Sequence, residues 1–213
     1  MRKVYLTTFL LLFLSDSFGC LNELNNSLNE KSFKEKMTIL KKLKKKDMAC
    51  LFEEASLLER PSFDFFLSQK NRRNKRVQKF YGINSFPIFK MFQKHFFYVD
   101  TPDGEKVFGY NKSKIQWLGG PGFFTLRKDE KGEDLLVDYG ADFKTLLPKE
   151  AFDSWRGRAV QKIKNNNMSL VYGGGLMDRL HKINDSIIIG QAFKVTKVLK
   201  KTKTMGYFIL VKK

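Results

Sequence analysis

Histidine and cysteine are scarce in this chain, with two of each in 213 residues. His95, His181, Cys20 and Cys50 show none of the paired spacing that zinc or haem sites use, so neither a metal nor a cofactor is expected. Two cysteines also exclude a disulfide-dense scaffold, and five prolines exclude a collagen-like chain. No G-x-S-x-G, Walker or H-E-x-x-H motif occurs, and the strings at 119–122 and 173–175 lack the strand-to-helix context and lysine of a phosphate cradle. They read as tight turns or bulges, either of which could edge a ligand mouth. Acid is short as well: 22 Asp and Glu face 40 Lys and Arg, a net charge of +18 that calls for an anionic partner. What is present, 42% hydrophobic and 29% charged residues, suffices for one globular core.

The first residues read as an address. Met1, Arg2 and Lys3 precede an apolar run over 4–14, too short to span a bilayer and right for a signal-peptide core. Ser17 and Gly19 stand at the spacing a signal peptidase reads, so residues 1–20 are expected to direct export. Cys20 resembles the modified cysteine of bacterial lipoproteins through the small Gly19 before it, although Ser17 and Phe18 depart from the usual residues there. The resemblance implies lipidation at Cys20, a place in the periplasm or cell envelope, and Cys50 as a buried thiol. Two alternatives stand beside it: cleavage next to an incidental cysteine, and a bond between Cys20 and Cys50. Export makes membrane head groups or envelope polymers the expected anions, with no nucleic acid. Sequons at Asn25, Asn111, Asn167 and Asn184 leave a eukaryotic secretory pathway open.

Residues 21–32 read as a tether, and 33–80 as a basic helical segment. Phe33, Met37, Leu40 and Leu43 recur at helical spacing among lysines, and Asp47 caps a second helix with Met48, Leu51, Phe52 and Ala55 on one face. A third short helix begins near Ser62. Over 81–213 the pattern becomes β. Apolar runs within 86–99 and at 106–110, 114–118, 122–126, 134–139, 169–172, 176–183, 186–194 and 205–212 are separated by Gly, Asp and Lys, while 148–164 is helical or mixed. Over 176–183 a two-turn helix fits as well as a strand. The expected fold is α+β: a helical N-terminal segment with an antiparallel sheet, lipocalin-like or another barrel-like meander.

Three sets of residues could carry function. Twenty-one phenylalanines suit an aromatic-lined lumen, although an AT-rich codon bias would also produce them. Phe123, Leu126, Leu136, Tyr139, Ile187, Ile189, Phe193 and Phe208 are the expected lining for an apolar or amphipathic, lipid-like small molecule. Lys41, Lys42, Lys44, Lys45 and Lys46, with Arg72, Arg73, Lys75 and Arg76, are the expected contacts for an anionic surface. Asp178, Arg179 and His181 place an acid, a cation and an imidazole together. A hydrolase or isomerase would use Asp178 and His181 as an acid and base: on a helix the two come together, on a strand Asp178 opposes Arg179 and His181, and either arrangement allows acid–base work in principle. A salt bridge beside a hairpin is the plainer role.

The stretches 171–190 and 206–211 resemble the C-terminal part of uncharacterised bacterial domains that accompany the GXWXG domain: an Asp within an apolar and basic stretch, an Asn/Asp-rich turn, an apolar strand ending in Gly, and a final aromatic strand. Trp155, Arg156 and Gly157 keep half of the glycine–tryptophan signature, at a different place. The resemblance implies a fold and transfers no catalytic residues.

Overall fold

The computed structural model describes residues 19–73, 76–86, 90–101, 104–112, 122–139, 175–195 and 202–213. Residues 1–18 of the leader expected over 1–20, the strands expected at 114–118 and 169–172, the helix expected over 148–164, Lys75, and the sequon at Asn167 lie outside the described residues, as do the side chain of Arg73 and the half signature at 155–157. Five helices are described, α1 (Gly19–Leu28), α2 (Phe33–Leu40), α3 (Lys45–Ala55), α4 (Phe63–Phe66) and α5 (Gln69–Arg73). Eight strands follow: β1 (Gln78–Asn84), β2 (Met91–Thr101), β3 (Gly104–Lys112), β4 (Phe123–Lys128), β5 (Leu135–Asp138), β6 (Leu176–Asn184), β7 (Ile187–Val195) and β8 (Thr202–Lys212). Each pairs antiparallel with the next, and β8 returns to β1, Gly82 facing Leu210, so the sheet is a closed barrel. The expected antiparallel meander is present and has no free edge. Residues 176–184, readable as strand or helix, are strand β6.

Side chains that alternate across the strands build two separate cores. Inward, Phe80, Phe96, Phe124, Leu135, Val137, Leu180, Ile188, Phe208 and Leu210 form one cluster. Outward, Ile83, Ile183, Ile187, Ile189, Ile209 and Val211 form a second with the buried faces of α1, α2 and α3. Leu40 and Met48, both fully buried there, each contribute roughly 1.5–3 kcal/mol of burial.

That helical layer corrects two expectations. Residues 21–32 are mostly not a tether: Leu21, Leu24 and Leu28 fall on one face of α1 and are buried. Nor is 33–46 one helix. Ser32 and Glu35 form a capping box that starts α2, which ends before Lys41, and the Lys44 amide donates to Asp47 Oδ2 at 2.8 Å to open α3. The break turns Leu40 and Met48 into one core and leaves Lys41, Lys42, Lys44, Lys45 and Lys46 exposed around the turn.

Of the readings open for Cys20, the structure takes the bond to Cys50, which ties α1 to α3 with Cα atoms 6.2 Å apart. In that state Cys20 has no thiol for acylation, and Cys50 is not a buried free thiol. Glu54 of α3 adds a second tie. Its carboxylate accepts from the amides of Cys20 at 3.1 Å and Leu21 at 2.8 Å, satisfying two donors at the positive end of α1.

The two rims of the barrel differ. The strand ends Thr101 and Gly104, Lys128 and Leu135, and Asn184 and Ile187 meet at one rim, whereas Lys112 and Phe123, Asp138 and Leu176, and Val195 and Thr202, each pair further apart in the sequence, lie at the other. The short-turn rim is sealed by α4. Phe66 is fully buried, its ring 4.9 Å from Phe96 and 5.7 Å from Phe80. Arg72 holds this plug in place by pairing with Asp64 at 2.8 Å and lying over the Tyr98 ring at 4.9 Å.

Candidate ligand site in the barrel lumen

The upper half of the lumen, below the rim of long connections, holds a charged pair. Lys94 on β2 and Asp178 on β6 point inward from opposite walls, and Nζ lies 3.0 Å from Asp178 Oδ2 with the side chains 1% and 4% exposed. An ammonium has three protons to donate, and three acceptors are in place: Asp178, Asn111 Oδ1 at 3.0 Å and the Tyr139 hydroxyl. Tyr139 in turn donates to Asp178 at 2.9 Å and accepts from Asn111 Nδ2 at 3.0 Å. Lys94, Asp178, Asn111 and Tyr139 thus satisfy one another across the lumen, as buried polar groups require.

Four rings surround the amine, with centroids at 4.6 Å for Phe124, 5.0 Å for Tyr139, 5.2 Å for Phe208 and 5.9 Å for Phe92. Three of them lie where they do because of glycine. In the strand register Gly82 faces Phe92, Gly109 faces Phe124 and Gly190 faces Phe208. A Cβ on any of these glycines would run into the facing ring. Each ring thus folds across its bare neighbour instead of standing upright, and the three together make a box around the cation. Burial pushes the Lys94 pKa down from the usual lysine range, and the nearby Asp178 carboxylate opposes that shift.

The expected lining residues divide between different surroundings. Leu126, Tyr139 and Phe208 belong to the lumen cluster, whereas Ile187 and Ile189 belong to the helix-covered cluster. Phe123, Leu136 and Phe193 alternate with inward neighbours and face outward; Phe193 lies under the Arg179 guanidinium at 5.4 Å. Lys94, Asn111, Phe92 and Phe124 were missed. The available signal was a lysine at the aromatic phase of an alternating run, Phe92-Gln93-Lys94-His95-Phe96, where period 2 puts Lys94 on the same face as both phenylalanines.

Asp178 and His181 are not brought together, because three residues along a strand separate opposite faces. On this strand the carboxylate and the imidazole therefore serve different surroundings. His181 faces the helices: its Nδ1 accepts from Arg60 Nη1 at 2.7 Å and its ring lies 4.5 Å from Phe52. An imidazole nitrogen that accepts is unprotonated, and its pKa is lowered to about 3 by burial first, then by Arg60 and Arg179. Asp134 bridges the same two arginines at 3.1 and 3.0 Å, so the cluster fastens the end of the helical layer to β5 and β6. His95 faces outward on β2, bonded to Tyr110 and Gln93, with its pKa lowered to about 4 by burial and then by Lys79 and Lys112.

In the second basic run, Arg72 is committed to the plug and Arg76 is exposed. Two sequon asparagines bond each other, Asn184 Nδ2 to Asn25 Oδ1 at 3.2 Å, and Asn111 belongs to the lumen network. A cleft of about 470 Å³ lies among α1, α2 and α3, lined by Cys20, Leu24, Ile39, Leu43, Cys50 and Leu51 among others, outside the barrel. Cys20, Cys50 and Glu54 converge beside it, but both sulfurs are spent in the disulfide.

No protein-family model matches the chain, and neither a curated protein nor a solved structure is significantly similar to it. The described parts of the stretches that carry the GXWXG-associated resemblance fold as β6, β7 and β8.

Proposed function

We propose that the protein is an exported, non-catalytic binding module that takes an apolar or amphipathic, lipid-like small molecule through the long-connection rim. The observation that carries this reading is the Lys94–Asp178 pair in its aromatic box. A barrel built only to be stable gains little from a buried ion pair, since well-packed apolar residues usually serve as well or better. A ligand with an apolar body and one polar group, by contrast, finds rings for the first and a preorganised cation and carboxylate for the second. Closure by Phe66 at the opposite rim directs entry to the end where the long connections leave. The Cys20–Cys50 disulfide supports export, because such bonds persist in oxidising compartments. Native mass spectrometry of protein purified from its own host tests the proposal: a retained lipid-sized mass, lost when Lys94 and Asp178 are both replaced by apolar residues, is the expected result. A bare mass, with no uptake of an apolar fluorescent probe, defeats it.

A second reading has its own observation, the exposed lysines at the turn between α2 and α3. They suit an anionic membrane surface, where each cation near the head groups contributes about 1 kcal/mol. Binding to anionic but not neutral vesicles, fading as salt rises, is the expected outcome; equal binding to both refutes it.

A further inference from the structure

We infer that Lys94 captures its ligand covalently, as an imine with an aldehyde or ketone carried on an apolar body. The inference rests on the lumen being the ligand site, and it adds the chemical class of the ligand. Three features of the geometry point there. The amine is enclosed by the rings of Phe92, Phe124, Phe208 and Tyr139, which exclude the water that would hydrolyse an imine. A carboxylate stands 3.0 Å from Nζ, close enough to take a proton from the ammonium and return it. A phenol contacts both Nζ and that carboxylate, a relay between the two. Burial favours the neutral, nucleophilic amine in the same direction.

The step balances without an added oxidant or reductant. Asp178 accepts one proton from the Lys94 ammonium, leaving a neutral amine and a carboxylic acid. The nitrogen lone pair attacks the carbonyl carbon, the C=O π pair moves to oxygen, and a proton passes from nitrogen to that oxygen through Tyr139, giving a carbinolamine. Asp178 then protonates the hydroxyl, which departs as water while nitrogen forms the C=N bond. The product is a protonated imine beside the Asp178 carboxylate, so the net change is ammonium plus carbonyl giving iminium plus water. Asp178 is the counter-ion before and after the step.

Incubation of the purified protein with nonanal and cyanoborohydride, followed by peptide mapping, tests this. The expected result is one dominant nonyl adduct at Lys94, formed faster than at the exposed Lys41, Lys42 and Lys44, and absent in Lys94→Arg, which keeps a cation beside Asp178. Tyr139→Phe, which retains the ring, is expected to slow the reaction about 100-fold or more, in the range of one proton-transfer group. Nonanol, the same chain without a carbonyl, is expected to compete. If nonanol displaces a lumen probe but labelling is spread over surface lysines, imine capture is overturned and the binding reading survives. If neither nonanol nor nonanal displaces the probe and Lys94 stays unlabelled in folded protein, both fall.

Discussion

The two faces of the same strands solve burial in different ways. Where β1, β6, β7 and β8 meet the helices, the residues are aliphatic and mostly β-branched: Ile83, Ile183, Ile187, Ile189, Ile209 and Val211. One residue along, the lumen face carries rings, glycines and an ion pair, as in Gly82, Asp178, Gly190 and Phe208. A helix presents a broad ridge that short, stiff side chains fill well. A closed lumen must be filled from all sides, and a ring lying over a glycine does this from one wall without colliding with the next. The outer face thus holds the molecule together through ordinary apolar packing, whereas the lumen face holds a charged pair that packing alone does not demand.

The sharpest way to break this contrast is to remove one partner of the pair. Lys94→Met is expected to destabilise the fold by about 3–5 kcal/mol in urea unfolding, because Asp178 is left as an uncompensated buried charge. Lys94→Met with Asp178→Leu is expected to recover most of that loss; a double variant as unstable as the single one would show that the network holds the barrel together. On the outer side, replacing both Cys20 and Cys50 by Ser is expected to cost roughly 2–4 kcal/mol by freeing the 30-residue separation in the unfolded chain. Ligand uptake in the lumen should persist in that variant.

A smaller effect, about 1–3 kcal/mol in thermal unfolding, is expected for Gly190→Ala, since the new methyl meets the Phe208 ring and forces it to move. Ala192→Gly on the same strand serves as the control, and an equal response at both positions would remove the packing argument. The smallest expected effect, per pH unit, is a pH dependence. His181 titrates at about 3 when folded against 6.5 as its ordinary value, so below pH 6.5 the unfolded state takes up a proton that the native state refuses. Stability from this group is present above pH 6.5 and declines as pH falls toward 3. The loss is spread over these units at no more than about 1.4 kcal/mol per pH unit, and His181→Gln, which still offers Arg60 an acceptor, should flatten the slope.

Period and turn signals carried the architecture. The short β-branched run Ile187-Ile188-Ile189 between turn residues and the apolar spacing of Met48, Leu51, Phe52 and Ala55 each specify an element on their own, because both signals are local. The lumen was less legible. Ile188 and Ile189 are both fully buried, one inside the barrel and one beneath the helices, and in a strand covered on both sides hydrophobicity no longer tells the faces apart. Ile189→Trp, which would narrow a lumen if it faced inward, instead wedges the barrel from its helical layer. Asp178 and His181 illustrate the same limit: their spacing was read, and whether it joined or separated them waited on the strand.

An antiparallel, aromatic-rich β-region behind a basic helical segment follows from the sequence by itself, since periodicity, capping and charge act over a few residues. Closure of β8 onto β1, the bond between Cys20 and Cys50, and the meeting of Lys94 with Asp178 are decisions of tertiary structure. Each joins residues far apart in the chain, and no local rule sets the strand register that carries an ammonium on β2 to a carboxylate on β6 across the lumen.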